Sequence, residues 1–432
     1  MSRDERAPAA ADAQEERVLA AVEALQDESL AFLAAMVRIP TVNPPGERYA
    51  ECAALIGGHL AGLGYAVEYV RPRRDRPDHP RVNVFARLAG IVPRPTLHFN
   101  GHFDVVPAGD PAAWTRDPFG AETADGALWG RGTGDQKAGI AASVYAIEAI
   151  RRAGITLGGS VEQSATVDEE SGGFAGVAEL CDQGFIAAGR TDHVIITEPL
   201  GVGRVCLGHR GVYWCEVTAH GATGHGSMPG LGRNAADAMA RLITRIDREL
   251  KPRLEERLTA APVEPPEARR ASINLNALHA GQPVGEEQTA CVPDTCVAIF
   301  DRRFLIEESS DAVRAEIAAL VATEGAADDG IRWSVRDLML VEPTATPADA
   351  PVARAVREAI HEVTGRTAAL IASPGTYDQK HVVRRGGVND CIAYGPGILE
   401  TAHRPNEYVR LDDLSTATKV MAVAALRLLG TA

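Results

Sequence analysis

No CxxC pair occurs anywhere in the chain, and its seven cysteines, at 52, 181, 206, 215, 291, 296 and 391, are odd in number and scattered. That excludes a disulfide framework and a thiolate zinc site, and makes a reduced, cytoplasmic setting the expectation. Long apolar runs are also missing. No stretch approaches the unbroken length of a membrane span, and residues 1–30 carry acids throughout instead of the apolar core of a secretory signal. Positive charge is the third deficit. With 44 Lys and Arg against 58 Asp and Glu, the formal net charge is -14. Nucleic acid and anionic membrane are therefore poor candidates as partners, because both require basic patches.

What is present is a soluble globular chain, 45% hydrophobic and 24% charged. Its 432 residues exceed one ordinary core, so two domains or one domain with a large insertion are expected. After a short tail, Val18, Val22, Leu25 and Leu33 fall near helical spacing over residues 15–37, and "RIPTVNPPGE" breaks the pattern. Strands and helices then alternate through "TLHFNGHFDVV", a helix from about 136, "SVEQSATVDEE" and "DHVIITEP". This alternation predicts an α/β domain built on a mixed, mostly parallel sheet flanked by helices. From 209 the pattern changes to a βαββαβ unit, and near the end "CIAYGPG" and a last helix resume the first pattern. The expected organisation is a catalytic domain in two segments, 1–208 and 331–432, interrupted by a smaller α+β domain at 209–330.

Open α/β sheets bind ligands beyond the carboxyl ends of their strands. Here "HFNGHFD" ends on His102 and Asp104, "SATVDEE" on Asp168, Glu169 and Glu170, and "VIITEP" on Glu198. His403 follows the resumed strand, and Asp135 sits in the glycine-rich "GRGTGDQKAG" before a helix. Histidine and carboxylate recur at these ends and thiolate never does, a donor set suited to zinc, manganese or cobalt. There are enough donors for two ions if one carboxylate bridges. Glu169 and Glu170, pointing to opposite sides of an extended backbone, would supply one ligand and one general base for an activated water. The glycine-rich turn is a poor phosphate loop: Asp135 stands where a dinucleotide fingerprint needs glycine, and "DQKA" where a P-loop needs GK[ST].

Seven segments in order, "GHFDVVPAG", "GRGTGDQKAGIAA", "DEESGG", "TEP", "GHGSMP", "GPG" and "AHRPNEY", resemble the motifs of the di-metal family that includes acetylornithine deacetylase, succinyl-diaminopimelate desuccinylase, aminoacylase and carboxypeptidase G. The resemblance implies a zinc-exopeptidase-like catalytic domain carrying a ferredoxin-like lid and dimerisation domain. It makes His102 and Glu198 partners on one metal and Glu170 and His403 on the other. Asp135 becomes the bridge, Glu169 the base, and Asp104 the group that orients His102. His225 becomes a substrate or oxyanion contact acting across a homodimer, Arg303 a clamp for a substrate carboxylate, and Gly375 and Thr376 part of the pocket lining. His220 has no such role. Two departures bear on substrate choice: Ala290 or Cys291 stands where relatives have Asn, and Pro374 where a glycine is common. The implied reaction is deacylation of an N-acyl amino acid or related amine, with two divalent ions, zinc first. The alternatives are a metallo-carboxypeptidase or dipeptidase, or an aminohydrolase acting on an unusual amine, including an aromatic one.

Overall fold

The computed structural model describes residues 3–282, 290–326 and 329–431. The chain divides into two compact units. The first runs to Gly208, resumes over Thr346–Ile371 and continues from Tyr377; the second comprises His209–Ala345 and Ala372–Thr376. The expected return at 331 falls inside the second unit, because the strand Arg332–Val341 pairs with Gly211–His220.

In the first unit the pattern over 15–37 folds as two helices, Arg3–Ala24 and Gln26–Val37, broken at Leu25. The helix therefore begins at Arg3, where the sequence suggests a tail. The sheet is mixed. Ala66–Val70, Asn83–Leu88 and Ser160–Thr166 pair antiparallel in that order. The centre is parallel: Thr96–His102 lies between Ser160–Thr166 and His193–Ile196, and His193–Ile196 pairs next with Cys391–Ala393. Every residue of Thr96–His102 and of Ser160–Thr166 is buried, as expected of strands covered on both faces. The helix Ala138–Arg152 packs on both strands. It is buried from Ala138 to Ile150 because "AGIAASVYAIEAI" presents small or apolar residues on nearly every side. A three-stranded sheet of Glu122–Ala124, Ala127–Trp129 and Tyr408–Arg410 pairs Tyr408 with Trp129, and so joins the segment before Asp135 to the one after His403.

The second unit is the expected βαββαβ arrangement. Its four antiparallel strands lie in the order Ser272–Ala280, Thr295–Phe304, Gly211–His220, Arg332–Val341. The helices Ala235–Arg245 and Ser310–Gly325 close a separate core around Val217, Met239, Phe300 and Ile317. No helix among the described residues is long and apolar enough to cross a membrane.

Candidate metal centre

The register of the central strands fixes where their ends fall. Within the parallel pairings His102 lies beside Thr166 and Asn100 beside Ile196. Chain leaving these strands emerges at one edge, which brings His102, the 168–170 turn and Glu198 together. Asp135 and His403 arrive from loops.

Two overlapping groups result: His102, Asp135 and Glu198, all buried, and Asp135, Glu170 and His403, which is more open. Within each group the candidate ligand atoms lie within 4.8 Å of one another. Asp135 serves both. Its Oδ1 is 3.0 Å from His102 Nε2 and its Oδ2 is 3.3 Å from His403 Nε2. His403 Nε2 is also 3.0 Å from Glu170 Oε1.

The electrostatics of this cluster call for a cation. Burial and the neighbouring Asp135 charge hold the Glu198 carboxyl well above its usual range. Burial, reinforced by Asp135, pushes Glu170 up to about 7. Hydrogen bonds to Asp135 and Glu170 raise His403 to about 10. Burial opposes charge on His102, but its hydrogen bonds to Asp104 and Asp135 prevail and raise it. Glu198 Oε1 is buried with no hydrogen-bond partner among the described residues, the kind of orphaned acceptor that a bound ion satisfies. An all-N,O donor set of two imidazoles and three carboxylates fits a pair of divalent ions of the zinc, manganese or cobalt type.

The acids around this cluster take distinct positions. Residues 169–171 form a short 3₁₀ turn after Asp168 at φ +60, so the extended backbone expected there is absent. The two glutamates still diverge, Glu170 toward His403 and Glu169 toward Lys380, whose Nζ is 3.3 Å from Glu169 Oε1. Asp168 is a structural anchor that accepts from Tyr49 Oη at 3.0 Å and Arg81 Nε at 2.9 Å. Asp104 acts on both sides of the centre. Its main-chain carbonyl accepts from His102 Nδ1 at 3.0 Å, which turns Nε2 toward Asp135. Its carboxylate accepts the backbone N–H groups of Glu169 and Glu170, each at 3.2 Å, and the Asn43 amide at 2.8 Å. The glycine-rich turn cannot cradle a phosphate, because Glu407 Oε1 already accepts the N–H groups of Gly134 and Asp135 at 3.0 and 3.1 Å.

The remaining site residues of the sequence reading lie in the second unit. His225 is exposed, and its Nδ1 meets Ser227 Oγ at 2.7 Å. Arg303 holds both oxygens of Asp301, at 2.8 and 3.0 Å. Gly375 donates its N–H to Ser373 Oγ at 3.2 Å, and Thr376 is half-buried. Ala290 and Cys291 are exposed, and the preceding Thr289 lies outside the described residues. His220 bonds Ser334 Oγ at 3.0 Å. Sequence reasoning passed over Asn43, Arg131, Lys380 and Glu407. Asn43, Arg131 and Glu407 stand inside quoted segments, but the roles of Lys380 and Glu407 depend on contacts across 211 and 273 residues that no local pattern reveals. Arg210 was also missed. Burial and the nearby Arg303 charge lower it to about 10, and its guanidinium donates to the Pro374 carbonyl at 3.2 Å.

A mixed α/β sheet that gathers histidine and carboxylate donors for an ion pair at its carboxyl edge, with a further glutamate alongside, defines a dinuclear type of metallohydrolase. Comparison with known proteins narrows the class. The chain belongs to peptidase family M20/M25/M40, whose model matches residues 98–427, and is therefore a hydrolase of amide bonds. It is 32% identical over 403 residues to the succinyl-diaminopimelate desuccinylase of Methylorubrum extorquens, covering 90% of this chain and 96% of that one. Among solved structures it resembles an M20 metallo-carboxypeptidase from Sulfolobus solfataricus, with TM-score 0.75 and 21% identity over 93% of this chain and 99% of that one. It also resembles a dinuclear metal-binding M20 peptidase of Bacillus subtilis, with TM-score 0.67 and 16% identity over 95% of this chain and 100% of that one.

Proposed function

We propose that this enzyme removes the acyl group from an N-acyl amino acid or related amine carrying a carboxylate, using two divalent ions, zinc first. The observation that carries the reading is the pair of overlapping groups sharing Asp135, with Glu169 next in sequence to Glu170 but turned away from it. His102, Asp135 and Glu198 would hold one ion, and Asp135, Glu170 and His403 the other. When bound, such ions bring the pKa of a water toward neutrality and withdraw charge from the scissile carbonyl. Glu169 takes the water proton on its carboxylate and delivers it to the leaving nitrogen. Lys380 Nζ, 3.3 Å away, restrains that carboxylate. His225 donates to the developing oxyanion from the partner subunit of a homodimer, with the inserted unit His209–Ala345 serving as lid and dimerisation domain. Arg303 receives the substrate carboxylate by exchanging it for Asp301, and Gly375 and Thr376 line the pocket. The desuccinylases among its relatives support deacylation, while the metallo-carboxypeptidase among its fold neighbours keeps peptide cleavage as the second reading. Cytoplasmic placement accords with seven cysteines that are odd in number and scattered along the chain.

The test is a screen of N-acyl amino acids against free dipeptides with zinc, manganese and cobalt in turn. N-acyl substrates are expected to be turned over, and cleavage of dipeptides alone would reverse the order of the two readings. Glu169→Gln is expected to lower kcat by about 10²–10⁴-fold while both ions remain bound. A variant with near-normal turnover would remove Glu169 as the base.

A further inference from the structure

The two groups of donors differ in how their residues are held. His102 and Glu198 leave neighbouring parallel strands of the central sheet, whereas Asp135 and His403 come from loops. His403 has φ +62 and Asn406 φ +60, a left-handed backbone that non-glycine residues seldom adopt. The His403 side chain is 51% exposed, so packing does little to hold it.

One buried ion pair ties the two loops together. Arg131, four residues before Asp135, meets Glu407, four residues after His403, at 2.7 Å, with side chains 2% and 0% exposed. Glu407 Oε1 accepts the Gly134 and Asp135 N–H groups. Arg131 Nη1 also donates to the Arg404 carbonyl at 3.2 Å, and its guanidinium lies 5.2 Å from the centroid of the Trp114 ring. The pair thus grips the backbone of Asp135 on one side and of the residue after His403 on the other. In the first group only Asp135 depends on this grip; in the second, both Asp135 and His403 do. Glu407 is wholly buried and both its oxygens are already engaged, Oε1 by two amides and Oε2 by the guanidinium.

We infer that Arg131 and Glu407 are positioning residues that set the spacing of Asp135 and His403, and with it the affinity of the Asp135, Glu170 and His403 group for its divalent ion. This rests on the two-ion reading proposed above. Partners that orient metal ligands typically change metal affinity by about 10–100-fold when removed.

Glu407→Gln preserves shape and keeps one oxygen for the amides, but turns an NH2 group onto Arg131. Metal-free wild type and variant are titrated with Zn²⁺ alone in competition with a chelator, and bound ions are counted by native mass spectrometry. The wild type is expected to bind two ions. In Glu407→Gln one ion should bind within about threefold of wild type and the other about 10–100-fold more weakly. Arg131→Lys keeps the charge but loses the planar fork, and should weaken the same ion by a smaller factor; it also carries the test if Glu407→Gln fails to fold. Two ions bound by both variants at wild-type affinity, or both ions weakened equally, would overturn the inference. A wild type that binds fewer than two ions would instead overturn the two-ion reading beneath it.

Discussion

Asp104→Asn changes one oxygen to NH2 in a side chain that is wholly buried. The wild-type carboxylate accepts the Glu169 N–H on Oδ1, and the Glu170 N–H with the Asn43 amide on Oδ2. Asn43 cannot simply turn over, because its Oδ1 accepts from Ser171 Oγ at 3.0 Å. The new NH2 therefore settles on the Oδ1 side, where it displaces one bond instead of two and faces the Glu169 N–H donor to donor. A buried donor left unsatisfied costs about 1–3 kcal/mol. Expressed in the transition state, that is a loss of roughly 5- to 150-fold in kcat. Expressed in stability, it is a Tm lower by about 2–4 °C for each kcal/mol. Metal content should not change, because His102 is oriented by the Asp104 main-chain carbonyl, which the substitution leaves in place. The assay is kcat and KM on an N-acyl amino acid with zinc in excess, alongside metal analysis and thermal unfolding. Loss of an ion with the amide turn intact would mean that the carboxylate, 3.5 Å from His102 Nδ1, serves the histidine instead. Wild-type kcat would refute the cradle altogether.

Gly139→Ala would set a Cβ 2.2 Å from the Thr197 carbonyl, one residue before Glu198; overpacking of this kind costs about 1–3 kcal/mol. Both Tm and kcat should fall, and a variant with unchanged kcat would separate Glu198 from the packing of the Ala138–Arg152 helix. The metal-free protein should also respond to pH. Burial holds Glu170 at about 7 against an ordinary 4.5, and hydrogen bonds to Asp135 and Glu170 hold His403 at about 10 against 6.5. Both groups bind more protons folded than unfolded, so their contribution is lost with rising pH, from 4.5 to about 7 for Glu170 and from 6.5 to about 10 for His403. Tm without metal should therefore decline between about pH 6 and 9, and saturating Zn²⁺ should flatten the slope by displacing those protons. A metal-free Tm that rises over this interval would refute the assignment.

Much of the centre was legible because strand ends are legible. "TLHFNGH", "SATVDEE" and "VIITEP" each read as a buried strand followed at once by a donor, and three adjacent parallel strands must deliver those donors to one edge. Residues that work through the backbone were not legible. Glu407 looks like one more acid in a loop until its carboxylate is found on two amides 272 and 273 residues away in sequence. The Glu169–Glu170 divergence was expected from an extended chain, yet it comes from a tight turn whose N–H groups rest on Asp104. Arg303 reads as a free fork because sequence cannot show that Asp301, two residues earlier on the same strand, fills it.

That contrast accounts for where the accessory residues occur. A ligand on a strand inherits its position from the sheet's hydrogen-bond register, so His102 needs only one local contact, to the carbonyl two residues on. A ligand on a loop inherits nothing comparable. Asp135 and His403 accordingly depend on the buried pair Arg131 and Glu407, and the Glu169–Glu170 turn depends on Asp104 with Asn43 behind it. Burying these carboxylates is costly unless each oxygen is matched by donors, and for Glu407 and Asp104 it is. Glu198, by contrast, has a buried Oε1 with no hydrogen-bond partner among the described residues, and burial with the nearby Asp135 charge raises both it and Glu170. The carboxylates that hold the backbone thus have donors on both oxygens, whereas the buried Glu198 Oε1 at the centre is left for a cation.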